Sequence, residues 1–327
     1  MKDLTRDLVV YFYTAANEKI GYGHLIRQSL ISSKLKKEKI KNFLLLDDIP
    51  LNFVKKNKLF HLSNFHILDI LSNHKSKDNI LIIIDRYSLT LNLQKKNKHK
   101  KIKTIIYDNI KIVSSKFILS DVIINIDPII KKINYKKRSL YKNAKILTGL
   151  KYALVKQVTK TNRINKKYHF LVVLGGGDNL KILKKLIREF EKNYKNKTFL
   201  IILGFKNDKI KIKKNTINNY IIRNNVKNLE TLMQNSEKIL CSGGTVLLES
   251  MIYKISRNVI ITADNQKSIV EYFFNKKLID NYTQDHSKKD YKNFVENLSK
   301  KNFKINNLSQ NYFNGVNRVF NIINKYT

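Results

Sequence analysis

Residues 9–37 read VVYFYTAANEKIGYGHLIRQSLISSKLKK. Val9 to Tyr13 is an apolar run of strand length. From His24 to Lys37 the residues Leu25, Ile26, Leu30, Ile31 and Leu35 recur near a 3.6-residue period, which predicts a helix. Between the two stands Gly21-Tyr22-Gly23-His24. Strand, glycine turn and helix in that order open a parallel α/β unit. The chain has only 10 glycines in 327 residues, so a cluster of them marks a functional constraint. Glycine serves where backbone turns with positive φ or approaches a ligand closely. His24, the last residue of this turn, is a candidate acid or base facing a ligand.

Outward from this stretch the pattern repeats. Phe43–Leu46, Ile80–Ile84, Thr104–Tyr107 and Val122–Asn125 are further apolar runs of strand length. Near-continuous apolar runs are what buried parallel strands require. Between Val158 and Lys167 the pattern stops, and Thr159-Lys160-Thr161-Asn162-Arg163 reads as a linker. A second set follows, with strands at Phe170–Leu174, Phe199–Leu203, Lys238–Cys241 and Val259–Thr262. Leu180–Tyr194 and Val246–Tyr253 read as its helices, and Lys206–Asn219 as a low-complexity surface loop. The expected architecture is an N-terminal Rossmann-like domain over 1–157, a second over 168–309, and a closing helix over 310–327. A ligand cleft is expected between the two domains.

Composition narrows the function. A hydrophobic fraction of 43% supports real cores and excludes a disordered chain. The single cysteine, Cys241, excludes an internal disulfide and suits a reducing compartment. No apolar run approaches the roughly 20 residues of a membrane span, and residues 1–7 do not read as a signal peptide. The expectation is a soluble cytoplasmic protein with no integral membrane segment, a monomer being favoured. The formal charge of +39 invites a nucleic-acid reading. Its lysines, however, are spread along the chain among asparagine and isoleucine, with no arginine-rich arm, zinc-finger spacing or aromatic RNP stretch. No nucleic-acid partner is expected, although such a surface draws anionic substrates.

Three glycine clusters, Gly21 with Gly23, Gly175-Gly176-Gly177 and Gly243-Gly244, each follow a strand and precede a helix. In open α/β sheets that is where ligands bind, and helix N-termini there favour phosphate. None continues into the Gly-Lys-Ser/Thr of a P-loop, and none is a full GxGxxG, which disfavours NAD. The seven histidines are scattered, with no HxxxH or CxxC spacing and no GxSxG elbow. No metal and no cofactor are expected.

Several motifs in order carry a resemblance. They are Ile20-Gly21-Tyr22-Gly23-His24 with Arg27, Asp85-Arg86-Tyr87, Tyr107-Asp108-Asn109, Gly149-Leu150-Lys151-Tyr152-Ala153-Leu154, Gly175-Gly176-Gly177-Asp178, Ser242-Gly243-Gly244-Thr245 with Glu249, and Asp264-Asn265-Gln266. With them the chain resembles the UDP-sugar hydrolases of pseudaminic acid biosynthesis, through nearly its whole length. The resemblance implies the GT-B fold, two Rossmann-like parallel-sheet domains facing across a cleft. It implies removal of UDP from a 2,4-diacetamido-2,4,6-trideoxy altrose nucleotide, giving UDP and free sugar.

The same resemblance implies the roles. His24 is the base that activates water for attack at the anomeric carbon, chemistry that suits an imidazole. Gly21, Gly23, Arg27, Tyr87, Gly176, Asp178, Asn265 and Gln266 line the sugar and phosphate. Gly243, Gly244 and Thr245 hold the pyrophosphate, and Glu249, one turn further on, accepts ribose hydroxyls. Each position also has a structural reading: His24 capping its helix, Tyr87 packing on the core, Glu249 at the surface, Asp264 or Asn265 capping the next helix.

The chain departs from the family pattern in four places. Tyr13 and Ala15 replace an arginine and an aspartate at the end of the first strand. Arg86 stands where a histidine is usual, Asn179 where a proline is common, and Lys254-Ile255-Ser256 where a glycine–proline often follows the glutamate helix. Two other readings stay open: a GT-B glycosyltransferase using the same UDP pocket, and a non-catalytic nucleotide-sugar or nucleic-acid binding protein.

Overall fold

The computed structural model describes residues 8–16, 22–45, 54–55, 60–63, 66–67, 70, 79–86, 102–107, 120–131, 144–156, 166–175, 179–204, 216–224, 226, 228–284, 287–298, 308 and 313–326. The chain divides into two compact units. One comprises Met1–Asn17, His24–Lys156 and Asn311–Thr327; the other comprises Glu18–Gly23 and Gln157–Gln310.

The first unit is built on β1 (Leu8–Thr14), α1 (Gly23–Lys37), β2 (Lys41–Leu44), β3 (Asn79–Asp85), β4 (Ile102–Tyr107), β5 (Val122–Asn125) and β6 (Lys145–Thr148). The strands form one sheet in the order β2-β1-β3-β4-β5-β6, and every pairing is parallel. The chain runs outward to β2 and then returns past β1 to β3. The order therefore reverses between β1 and β3, and in open α/β sheets ligands bind at the carboxyl ends of such strands. In register, Thr14 pairs with Asp85 at that end. Tyr13, Ile80, Ile82, Ile84, Ile106 and Ile123 share one apolar cluster of this sheet.

The face that α1 buries is not the apolar stripe its periodicity predicts. Ile26 is 41% exposed and Leu30 is half-buried. The buried residues are His24, Leu25, Gln28, Ser29, Ile31, Ser32 and Leu35. The polar ones among them find partners within the fold: Ser32 donates to Asn42 Oδ1 at 2.6 Å, and Asn42 in turn to the Ile40 carbonyl at 2.9 Å. A helix rotated to bury polar groups is tolerated only because they are hydrogen-bonded.

The second unit has β7 (Tyr168–Val173), α2 (Leu180–Asn193), β8 (Thr198–Leu203), β9 (Asn219–Asn224), α3 (Leu229–Gln234), β10 (Ser236–Ser242), α4 (Thr245–Ser250), β11 (Ser256–Ile260), α5 (Lys267–Asn275), β12 (Asn281–Thr283) and α6 (Lys288–Leu298). Its sheet is again all parallel, in the order β12-β11-β10-β7-β8-β9. Here the order reverses between β7 and β10. The core beneath is aromatic: Phe170, Phe190, Tyr194 and Phe199 pack with ring centroids 4.5–6.2 Å apart. The Tyr194 hydroxyl donates to the Val295 carbonyl at 3.1 Å, which pins α6 to this core.

The closing helix α7 (Gly315–Ile323) belongs to the first unit. Gly315 lets its backbone press on the turn Leu150–Tyr152, since a Cβ there would lie 2.1 Å from the Ala153 carbonyl oxygen. Arg318 adds a hydrogen bond to the Lys151 carbonyl at 2.8 Å. No helix among the described residues is long and apolar enough to cross a membrane.

Candidate functional site

At the carboxyl end of β3 the side chain of Asp85 is fully buried and collects three others. His24 Nδ1 lies 2.6 Å from its Oδ1. Arg27 donates through Nε to Oδ2 at 2.6 Å and through Nη2 to Oδ1. Gln28 donates through Nε2 to Oδ2 at 2.8 Å. The three donors stand at i, i+3 and i+4 of α1, the spacing that puts side chains on one helix face. Thr14, from the next strand, donates to the Asp85 carbonyl at 3.1 Å and fixes the strand end.

Burial alone would raise the Asp85 carboxyl. The Arg27 guanidinium and His24 outweigh it and hold Asp85 well below the usual carboxylate range. Asp85 is therefore an ion. Arg27 Cζ also stands 5.8 Å from the ring centroid of Tyr107, a buried residue ending β4. Burial, and then the Asp85 charge, push the Tyr107 phenol well above its usual value, with Arg27 opposing. The carboxyl ends of three neighbouring strands thus present Thr14, Asp85 and Tyr107 to the start of α1.

The second unit carries two glycine turns on adjacent strand ends. Gly175 follows β7 with φ of 88°, a conformation that L side chains avoid, and a Cβ there would sit 3.4 Å from Ser242 Oγ. Gly243 and Gly244 follow β10. A Cβ on Gly243 would lie 2.6 Å from Val270 Cγ2 and 2.9 Å from Gln266 Cβ, so only glycine fits against α5. The Gln266 amide oxygen accepts from the Gly243 N–H at 3.1 Å and from the Thr262 N–H at 3.0 Å. It ties together the turns that follow β10 and β11. Thr245 begins α4 and Glu249 lies one turn along it, both half-buried. Asn265, also half-buried, sits in the short turn Asp264–Gln266 before α5.

Behind α4 stands Arg257, fully buried on β11. It donates to the Ser250 carbonyl through Nε at 3.1 Å and Nη2 at 3.0 Å, to the Leu278 carbonyl at 3.2 Å, and to the Tyr253 carbonyl. A cation on the last carbonyls of a helix satisfies both their lone pairs and the helix dipole. Burial pulls this guanidinium down to about 10, with Asp280 opposing.

Among the residues predicted from sequence, the structure places His24 and Arg27 together on Asp85. It places Gly243, Gly244, Thr245, Glu249, Asn265 and Gln266 around the turns after β10 and β11. Gly23 opens α1. Gly21, Tyr87, Gly176 and Asp178 lie outside the described residues. Sequence reasoning quoted Asp85 and Tyr107 only as members of motifs, without a role of their own, and did not single out Gln28 or Arg257. Asp85 is 61 residues from His24, and the one signal for the cluster is polar residues at helical spacing on a face that should be apolar. Among the described residues no group of three or more His, Cys, Asp or Glu is placed to hold a metal ion.

No protein-family model matches the chain. Against characterised proteins, the chain is 24% identical over 281 residues to the UDP-2,4-diacetamido-2,4,6-trideoxy-beta-L-altropyranose hydrolase of Campylobacter jejuni subsp. jejuni, covering 82% of this chain and 96% of that one. Among solved structures it superposes on Acinetobacter baumannii MurG with a TM-score of 0.62 at 10% identity, covering 98% of this chain and 99% of that chain. It superposes on the UDP-GlcNAc 2-epimerase of Methanocaldococcus jannaschii, in complex with UDP-GlcNAc and UDP, with a TM-score of 0.59 at 15% identity, covering 97% and 99%. Two six-stranded parallel sheets and these likenesses establish the GT-B fold. The likeness to that hydrolase, like the resemblance carried by the ordered motifs, runs over most of both chains.

Proposed function

We propose that this protein is an enzyme acting on a UDP-sugar, and specifically that it hydrolyses a UDP-linked 2,4-diacetamido-2,4,6-trideoxy hexose to UDP and free sugar. The free sugar would feed a nonulosonic acid pathway of the pseudaminic type. The observation that carries the reading is His24, held on Asp85 at the carboxyl end of β3, beside the reversal of strand order. The similarity to the Campylobacter hydrolase supports the substrate class.

In this reading a water oxygen attacks the anomeric carbon as the bond from that carbon to the β-phosphate oxygen breaks. His24 takes the proton of the water, and UDP leaves with the bonding electrons. A nucleoside diphosphate is a good leaving group and needs no strong general acid. Gly243, Gly244 and Thr245 would hold the pyrophosphate by backbone and hydroxyl donors, with Glu249 on the ribose. Gly21, Gly23, Tyr87, Gly176, Asp178 and Asn265 would line the sugar and phosphate. Arg27 and Gln266, first assigned to that lining, have polar atoms engaged with Asp85 and Gly243 respectively. Their proposed contribution is to hold the shape of the site.

The test is release of UDP from the diacetamido-altrose nucleotide in water, without an acceptor, for wild type and His24→Ala. Rapid release by wild type and loss of at least about a hundredfold in the variant is the expected result. The same fold serves sugar transfer, and the assay separates the two: a transferase would release UDP only when an acceptor alcohol is added.

A further inference from the structure

We infer that Asp85 is the positioning residue of the His24 base: it fixes the ring proton on Nδ1 and so makes Nε2 the atom that takes a proton from water. The inference deepens the hydrolase reading and rests on it for the role of the base, but the placement of the ring proton stands independently of any reaction.

The argument is one of donors and acceptors. Nδ1 of His24 lies within hydrogen-bonding distance of Asp85 Oδ1, at 2.6 Å, and of Arg27 Nη2, at 3.0 Å. A guanidinium has donors only, and an ionised carboxylate has acceptors only. If Nδ1 were bare it could accept from Arg27, but its lone pair would then face a carboxylate lone pair at 2.6 Å. That separation requires a proton between nitrogen and oxygen. The proton therefore sits on Nδ1, and the close approach of Arg27 Nη2 is that of two donors sharing one acceptor oxygen. The tautomer follows from the network, as it must where hydrogens are assigned by their partners. The other ring nitrogen, Nε2, then carries the lone pair.

The surrounding contacts make this arrangement hard to change. Both Asp85 oxygens are occupied by donors: His24 and Arg27 Nη2 on Oδ1, Arg27 Nε and Gln28 Nε2 on Oδ2. Of these, the imidazole can become an acceptor by moving its proton and Gln28 by turning its amide, whereas Arg27 can only donate. An asparagine at this position must turn its NH2 toward one side. Toward Oδ2 it would meet Arg27 Nε, an obligate donor, and would need Gln28 to turn its amide as well. Toward Oδ1 it would also face Arg27 Nη2, but there it can donate to His24, provided the ring moves its proton to Nε2. Asp85→Asn is therefore expected to invert the tautomer at nearly constant volume and to remove the lone pair from the atom that needs it.

The experiment uses the full chain labelled with 15N-histidine, with long-range proton–nitrogen correlation across the neutral pH range. His24→Ala identifies the His24 signals. The wild type is expected to show Nδ1 protonated and Nε2 bare in its neutral form, and Asp85→Asn the reverse. In parallel, UDP release by Asp85→Asn is expected to fall on the order of 10²–10⁴-fold, as when a triad carboxylate is made an amide, with UDP affinity unchanged. A merely structural role would not leave affinity intact while moving the ring proton. A wild-type ring protonated on Nε2, or one that keeps both protons throughout, would overturn the inference. So would an Asp85→Asn ring with its proton still on Nδ1. Should the variant fail to fold, the wild-type spectrum decides by itself. Should wild type release no UDP while its spectrum shows Nδ1–H, the hydrolase reading fails and the assignment of the proton holds.

Discussion

The guanidinium of Arg86 lies over the ring of Tyr13, its Cζ 4.4 Å from the centroid, and both residues are buried. These are two of the positions at which the sequence departs from the pattern of the hydrolases it resembles. They are separate in sequence and touch in space, at the ends of β1 and β3. A cation over an aromatic face contributes about 0.5–2 kcal/mol, more when desolvated. The two departures thus act as one packed pair. A double-mutant cycle with Tyr13→Leu and Arg86→Met, measured by urea unfolding, is expected to give a coupling of about 1 kcal/mol. Additive losses would mean that the contact contributes nothing.

Asp85 makes an acid-stability prediction. Its pKa is depressed in the fold, so its contribution is present above the unfolded carboxylate value of about 4 and is lost as pH falls below that, through the folded value. At neutral pH, Asp85→Asn removes one partner of a buried ion pair and is expected to lower stability by about 3–5 kcal/mol. The gap between the variant and wild type should narrow as pH drops below about 4. A gap that stays constant down to the lowest folded pH would contradict the ion-pair account.

Gly243 and Gln266 form one device. Gly243→Ala pushes a methyl into Val270 and Gln266, and Gln266→Leu strips the oxygen shared by the Gly243 and Thr262 N–H groups. Both variants are expected to weaken UDP binding by about tenfold or more, since a buried donor left without its acceptor costs about 1–3 kcal/mol. Isothermal titration with UDP measures this. Unchanged affinity in both would remove the turn from the nucleotide site.

Gly315 permits backbone-to-backbone docking of α7 on the turn Leu150–Tyr152. Alanine is the better helix former by about 1 kcal/mol, so propensity alone predicts stabilisation by Gly315→Ala. The 2.1 Å approach to the Ala153 oxygen predicts the opposite, a net loss of about 1–3 kcal/mol from overpacking. Thermal unfolding, with proteolysis reporting release of the helix, distinguishes the two signs.

Much of the sheet architecture is legible in the sequence because its central strands are buried on both faces. Ile80–Ile84 and Phe199–Leu203 are nearly all apolar and lie inside β3 and β8. The elements that escape sequence reading are those with mixed composition. Lys145–Thr148 is short and lies at the sheet edge, Asn219–Asn224 is an edge strand with polar ends, and Asn281–Thr283 has three residues. Edge strands lack the second buried face that produces a continuous apolar run. The helices Leu229–Gln234, Lys267–Asn275 and Lys288–Leu298 are masked by their polar outer faces. In the site, His24 is legible from its glycine turn. Its partner is not, because Asp85 is brought to it by the pairing of β1 with β3 rather than by any local pattern. Gln28 looks like an ordinary polar residue of an exposed helix face until the sheet shows which face is inside, and Arg27, expected on the sugar and phosphate, is found on Asp85.

The most direct test of the central claim is hydrolysis of the diacetamido-altrose nucleotide in 18O-labelled water, followed by mass spectrometry of both products. Attack at the anomeric carbon by water activated at His24 puts the label on the anomeric hydroxyl of the free sugar and leaves UDP unlabelled. Label in the phosphate of UDP, or no free sugar at all, would contradict the account.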